Sequence, residues 1–383
     1  NVSLKVEVQS HYPIVKLKDY CDIINPSKEE IRNVAKDTVV SFVEMASLGF
    51  GKIDVKEDKT IAELSDGGYT YFKENDVLIA KISPSMENGK CGLATCLTNG
   101  LGLGSTEFHV IRGKSKEQAK FILEYLNREY IRNIATSNET GASGHRRVPE
   151  YFYAQLPIPN VPQNILEIIA EECQTIDESQ KVCEARIHEI IEEMENLRRN
   201  VTGDVKRLKD IMSFASDRIT YNGIAPDSFI TTDNMLQNCG GVRPYDGEPE
   251  VQSVIKYRKG DLLLSNIRPY LKKMWLADRD GGCNPDVLVL RCNDDKIVDS
   301  TFLSYLLRNS YFFDYIMEDV KGLKMPRGKK EHIEKFELRL PNIKEQRELV
   351  KAFVDLDTEL AAIKSELQDI PQRKQAILDK YLK

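Results

Sequence analysis

Asn75-Asp76-Val77-Leu78-Ile79 and Gly260-Asp261-Leu262-Leu263-Leu264 are one pattern written twice: a turn residue, an acid, and a short apolar run. Such a run bounded by turn signals suits a strand buried on both faces. Working outward, other segments recur in the same order. Leu17-Lys18-Asp19 answers Leu208-Lys209-Asp210, and Ile82-Ser83-Pro84 answers Ile267-Arg268-Pro269. Glu107-Phe108-His109-Val110-Ile111-Arg112 answers Asp286-Val287-Leu288-Val289-Leu290-Arg291. Leu156-Pro157 and Asn160-Val161 answer Leu340-Pro341 and Asn342-Ile343. The offsets lie between 179 and 191 residues, the small drift that loop insertions produce. The chain therefore reads as two copies of one unit, and that period is too long for a solenoid.

Each copy predicts a mixed α+β domain. In the first, residues 76–82 and 108–111 read as strands, and residues 116–131 as one helix with apolar residues at helical spacing. Between the strands, residues 83–104 carry glycines at 89, 92, 100, 102 and 104 and read as turns. In the second copy, residues 261–267 and 287–290 are the strands and 301–317 the helix.

A long helical pattern follows each mixed part. In the first, Ile165, Ile169, Cys173, Ile176, Gln180, Cys183, Ile187, Ile190, Met194 and Leu197 alternate steps of four and three, which is a heptad seam. In the second, Leu349, Phe353, Leu356, Leu360, Ile363, Leu367, Ile370, Lys374, Ile377 and Tyr381 repeat the spacing. Only Lys374 is charged there, and Pro371 is expected to kink or interrupt the helix. Two matched seams in one chain are expected to pack on each other, forming an antiparallel coiled coil. At about 1.5 Å per residue the rod would be roughly 50 Å long. The expected division is 1–157, 158–200, 201–340 and 341–383, with mixed domains first and third and helices second and fourth.

The charge is unevenly spread over the 383 residues. The net charge is −6, but residues 164–197 hold ten acids and two bases, which leaves +2 for the rest. With 30% charged residues, a mean hydropathy of −0.41 and no apolar run near 18 residues, a membrane span is excluded. No signal peptide opens the chain, so a cytoplasmic protein is expected. It begins at Asn1 rather than Met, as expected of a trimmed or partial product. The eight cysteines are scattered, and only Cys91 and Cys96 lie close. No partner pair completes a zinc set, so free thiols and no metal are expected.

The parts of a catalyst are missing. There is no G-x-x-x-x-G-K-[ST] loop, no H-E-x-x-H and no G-x-S-x-G. The tetrapeptide of amino-methyltransferases and the P-D…D/E-x-K core of nucleases are also absent. Gly100-Leu-Gly-Leu-Gly104 lacks a strand-to-helix context and reads as a turn rather than a phosphate loop. His109 falls on a strand and reads as a core histidine. What remains is polar, basic and duplicated. Gly141-Ala-Ser-Gly-His-Arg-Arg147 lies between helix and Leu-Pro boundary in copy one. Lys321-Gly-Leu-Lys-Met-Pro-Arg-Gly-Lys-Lys330 holds the same place in copy two. Turns at residues 83–90 and 265–273 match as well. Glycine-freed N–H groups with Arg and Lys suit phosphate oxygens, and Arg, Lys, Ser and Asn can read base edges. The candidate DNA-binding residues are Lys81, Ser83, Lys90, Ser143, His145, Arg146 and Arg147 in the first copy. In the second they are Asn266, Arg268, Tyr270, Lys272, Lys273, Lys324, Arg327, Lys329 and Lys330.

Taken together, the doubled strand-x-Pro pattern, the Gly/basic loops, the Leu-Pro boundary and the helix opening Ile343-Lys-Glu-Gln-Arg-Glu-Leu349 resemble the specificity subunit of Type I restriction–modification systems. The closing Arg373-Lys-Gln-Ala-Ile-Leu378 resembles the end of that family's helical spacer. Copy one departs from the pattern: Gln163-Asn164 stands where the Glu-Gln pair is expected, and its helix is far more acidic. The resemblance implies a non-catalytic reader of double-stranded DNA with two target recognition domains, each reading half of a bipartite asymmetric site. It implies a coiled coil that spaces the domains and docks methyltransferase (modification) subunits, with restriction/motor subunits joining them. It also implies that this chain binds no cofactor. Val6-Glu-Val-Gln-Ser-His-Tyr-Pro13 resembles the junction where such a region follows a fused methyltransferase, which is the alternative reading. A coiled-coil scaffold without DNA binding is the rival from another class. If the helices pair antiparallel, the half-sites are expected roughly 10–10.5 bp apart on one face of the duplex.

Overall fold

The computed structural model describes residues 7–53, 57–142, 146–221, 224–247, 252–322 and 325–383. It divides into two compact units: Asn1–Cys183 with Glu366–Lys383, and Glu184–Ser365. Each unit therefore takes one part of each long helix, Gln163–Arg199 and Ile343–Leu382.

In the first unit, Asp76–Ala80 is a central strand, flanked by Phe108–Arg112 and Cys91–Leu93 in a five-stranded sheet completed by Ile23–Ile24 and Phe50–Gly51. All five residues of Asp76–Ala80 are buried, and alternation explains why. Val77 and Ile79 join a core with Phe121, Ile122 and Tyr125 of the helix Lys116–Leu126, while Leu78 and Ala80 point into a second core with Val43, Phe72 and Phe108. That second core lies against a four-stranded sheet ordered Glu57–Thr60, Val39–Val43, Leu101–Gly104 and Thr70–Lys73. A strand covered on both faces has no polar side to show, hence the unbroken apolar run.

The second unit repeats this plan. Met212–Phe214, Val287–Cys292, Leu262–Ser265 and Met274–Leu276 form one sheet. Arg218–Thr220, Ser253–Tyr257, Gly281–Cys283 and Phe229–Ile230 form the other. One parallel pair recurs in the second sheet of each unit: Val39–Val43 with Leu101–Gly104, and Phe229–Ile230 with Gly281–Cys283. The residues matched in sequence also match in chemistry. Arg112 reaches Asp76 through Nε and Nη2 at 2.8 Å each, and Arg291 reaches Asp261 at 2.9 and 2.6 Å. Both aspartates are buried, and a buried charge is stable only when so paired.

The helices after the second strand differ from expectation. Residues 116–131 are not one helix but Lys116–Leu126 and Glu129–Ser137, and the second copy breaks likewise into Ser300–Leu307 and Ser310–Glu318. In the second copy the cause is Asn309, whose side chain accepts from the Phe312 N–H and starts a new helix. Residues 83–104 are not only turns: they include the strands Cys91–Leu93 and Leu101–Gly104. The Gly100–Gly104 run holds the strand Leu101–Gly104, and the Phe72 ring takes the room a side chain at Gly102 would need. A Cβ on Gly102 would stand 2.1 Å from the Phe72 ring.

The long helices pair antiparallel within each unit. In the first, Glu172 meets Lys380 and Asp177 meets Lys374 at 2.7 Å, while Ser179 meets Glu366 at 3.4 Å, so one number climbs as the other falls. Ile169 shares a core with Leu378 and Leu382, with Ile377 packed beside it, and Ile176 is buried. These residues lie in the same core as Phe121, so the pair also packs on its own domain. In the second unit Arg186 grips Glu359 at 2.7 and 3.0 Å, and Ile190, Met194, Tyr305 and Phe353 form a core. Leu197, Leu356, Leu360 and Ile363 pack on it, and Ile187 and Leu367 are half-buried in their respective units. The expected interruption at Pro371 does not occur: the second helix runs through it. Pro371 is exposed. No helix among the described residues is long and apolar enough to cross a membrane.

Candidate nucleic-acid interface

In each unit the loop after the broken helix returns to the end of the central strand. In the first, Lys81 N–H donates to the Glu107 carbonyl at 2.9 Å, Val148 N–H to the Lys81 carbonyl at 2.8 Å, and Ser83 N–H to the Arg146 carbonyl at 3.0 Å. In the second, Asn266 N–H donates to the Asp286 carbonyl at 2.8 Å, Gly328 N–H to the Asn266 carbonyl at 3.2 Å, and Arg268 N–H to the Pro326 carbonyl at 2.8 Å. Single bridges join Ile82 to Arg147 and Ile267 to Arg327. Two loops far apart in sequence are thus brought to one place in each unit. The candidates Lys81, Ser83, Arg146 and Arg147 gather there in one, and Asn266, Arg268 and Arg327 in the other. Ser143, His145 and Lys324 lie outside the described residues.

Side chains sort the candidates. Arg147 forms a two-point contact with Glu107, Nε at 2.8 Å and Nη2 at 2.7 Å, and the guanidinium holds that carboxyl below the ordinary glutamate range. Arg327 Nη2 lies 3.1 Å from Asp286. Arg146 Nε lies 3.3 Å from the buried Glu139 carboxylate, and the Ser83 hydroxyl lies between the carboxylates of Glu87, at 2.8 Å, and Glu139, with one proton to share. Lys90 and Lys273 are spent on the fold: their ammonium groups donate to the carbonyls of Met45 at 2.8 Å and Thr232 at 2.6 Å, the same tie in both units. Lys272 donates to the Ser310 hydroxyl at 2.8 Å, and Lys329 is paired with Asp319. Lys330 stands 5.2 Å from the centre of the Phe214 ring. Arg268 and Tyr270 are exposed on a turn, Pro269–Leu271, bracketed by Arg268 and Lys272 at φ of 52° and 51°.

Sequence reasoning placed Glu107 and Asp286 in the repeat but not in the site. The signal was their matched position. Being acids, they did not fit a search for bases. His109 is the buried histidine expected: Nε2 lies 2.9 Å from the Val148 carbonyl, which can only accept, so Nδ1 accepts from the Asn25 amide at 3.2 Å. His109 of strand 108–112 thereby holds the returning loop at Val148, and Glu107 just before the strand holds it at Arg147. A turn with exposed Arg and Tyr, and arginines oriented by carboxylates, can meet phosphates and base edges.

The chain is similar to several known proteins. Residues 202–372 match the Type I restriction modification DNA specificity domain. The Type I restriction enzyme EcoAI specificity subunit of Escherichia coli is 33% identical over 130 residues, 32% of this chain, and the matching part spans only 21% of that relative's length. A chain from a structural study of complex assembly and conformational transition of the type I R-M system covers 98% of this chain and 99% of its own, with a TM-score of 0.57 at 16% identity. A Type-I restriction-modification system S subunit from M. genitalium covers 100% of this chain and 98% of its own, with a TM-score of 0.54 at 12% identity. At such identities these two likenesses speak to the fold. Residues 202–372 are thus similar to the Type I restriction modification DNA specificity domain, and the whole chain shares the fold of these two solved structures.

Proposed function

We propose that this chain is a non-catalytic DNA reader, in which each unit reads one half of a bipartite, asymmetric double-stranded site. One observation carries the reading: the same loop-on-strand-end cluster, with the same arginine–carboxylate pair, is built twice from different residues. A duplicated scaffold carrying unlike side chains (Ser83 against Arg268, Arg146 against Pro326) suits two readers of unlike half-sites. The paired helices act as the spacer and dock methyltransferase subunits, which restriction/motor subunits join in the cytoplasm. The expected boundaries 1–157, 158–200, 201–340 and 341–383 describe that division of labour. The chain brings no cofactor to the reaction. The test is titration of the full chain with random duplex DNA at several salt concentrations. A reader loses affinity steeply and linearly in log salt; a scaffold without DNA binding shows no affinity to lose.

A further inference from the structure

The turn after the central strand is anchored the same way in both units but presents different chemistry. In the first unit Ser83 N–H donates to the Arg146 carbonyl, and in the second Arg268 N–H donates to the Pro326 carbonyl. Ser83 carries a short hydroxyl already shared by the carboxylates of Glu87 and Glu139. Arg268 carries a guanidinium at an exposed position. Neighbouring cations of the second unit's cluster are tied: Arg327 to Asp286, Lys329 to Asp319, Lys272 to the Ser310 hydroxyl and Lys273 to the Thr232 carbonyl. The Arg268 guanidinium meets no hydrogen-bonding or ionic partner among the described residues. The donors of its planar fork are therefore open to a ligand.

The backbone beneath it, by contrast, is fixed. Besides the bond to Pro326, the Arg268 carbonyl accepts from the Leu271 N–H at 2.9 Å, and Pro269 beside it is buried. Arg268 holds φ 52° and ψ 61°, a left-handed conformation that residues other than glycine disfavour. Strain of this kind persists only where the surrounding structure imposes it, and it gathers at binding sites. A charge that only neutralises a phosphate can approach from many directions. A planar fork that must meet two acceptors on one base edge cannot.

We infer that Arg268 is the guanine reader of the second unit's half-site, its guanidinium donating to guanine O6 and N7 in the major groove. This rests on the DNA-reading function proposed above. It also gives the two half-sites unlike character, since Ser83 offers no such fork at the matching place of the first unit.

The experiment uses the full chain and duplexes that it selects from a random-sequence pool. Repeating the selection with Arg268→Ala should relax a G·C pair in one half and leave the other half unchanged. The guanine of that pair is then replaced by 7-deazaguanine, which keeps O6 and lacks the N7 acceptor. Wild type should lose about tenfold in affinity on the replacement, the scale of part of a two-point arginine–guanine contact, and Arg268→Ala should lose nothing further. If Arg268→Ala relaxes no G·C pair, and instead weakens binding to the selected duplex and to the pool by one factor, Arg268 meets a phosphate and the inference is overturned. A cost of 7-deazaguanine that is the same in wild type and variant overturns it as well. Failure of the wild type to enrich any duplex overturns instead the DNA-reading function itself.

Discussion

Lys374 carries its ammonium to Asp177 on the facing helix and to Glu124 on the domain helix, at 2.7 Å each, in a setting from which water is nearly excluded. It is the one charged residue on the second seam, and a lone polar residue in a seam is a device for register. The two carboxylates hold the amine protonated, well above its ordinary range, against the penalty of burial. The first unit's helix pair is thereby locked to its own domain at one defined point.

Removing the amine leaves Glu124 buried and unpaired. Lys374→Ala is therefore expected to cost about 3–5 kcal/mol of unfolding free energy. The pair Lys374→Met with Glu124→Leu should recover most of that, since apolar side chains suit the same space. Denaturant titration of the full chain, followed by a probe in the first unit, decides. A loss below about 1 kcal/mol in the single variant would mean that the contact does no structural work.

Lys272 takes a left-handed backbone at φ 51°. The matching place in the first unit is Gly89, at φ 71°, where a Cβ would meet the Phe50 ring at 2.5 Å. A lysine accepts a cost there of about 1–2 kcal/mol that glycine avoids. Strain kept in a loop points to use. Lys272→Gly is expected to leave stability unchanged or raise it slightly while weakening affinity for DNA severalfold. A melting curve and a binding isotherm on the same sample test both halves of this statement.

His109 is held neutral, its basicity lowered by burial, among Lys81, Glu107 and Glu150. Its depressed folded-state pKa means that below about 6.5 the unfolded chain takes up a proton the native one refuses. Stability should therefore hold above that pH and fall below it, by up to about 1.4 kcal/mol per unit from this group. His109→Gln should flatten that limb in melting temperatures recorded from pH 5 to 8. An identical pH profile in the variant would place the titration elsewhere.

Charge at the second loop is expected to show in the salt dependence. Three free cations would change the slope of log affinity against log salt by up to about three. With Lys329 on Asp319 and Arg327 on Asp286, Ala at Arg327, Lys329 and Lys330 together should change it by about one to two. An unchanged slope would place this loop away from DNA.

Much of this was legible in the sequence for a physical reason. The doubled acid-plus-apolar run survives because Asp76 and Asp261 must each meet an arginine, and because the strand they open is covered on both faces. The seams were legible because burial enforces their spacing. The breaks at Asn127–Arg128 and Arg308–Asn309 were not, since the helical period of the apolar residues runs on across them. The strand Leu101–Gly104 was hidden because its glycines answer the bulk of Phe72, a contact made across the sheet. Of the site, the basic residues stood out by charge. Their acidic partners did not, since only the fold brings Glu107 to Arg147 and Asp286 to Arg327.

The most direct measurement of the central claim is the methylated sequence in cells carrying the complete system, with the wild-type chain, with Arg147→Ala and with Arg327→Ala. Two independent readers predict a bipartite motif in the wild type. They also predict that each variant relaxes bases in one half and leaves the other half unchanged. A single uninterrupted motif, or two halves that degrade together in either variant, would contradict it.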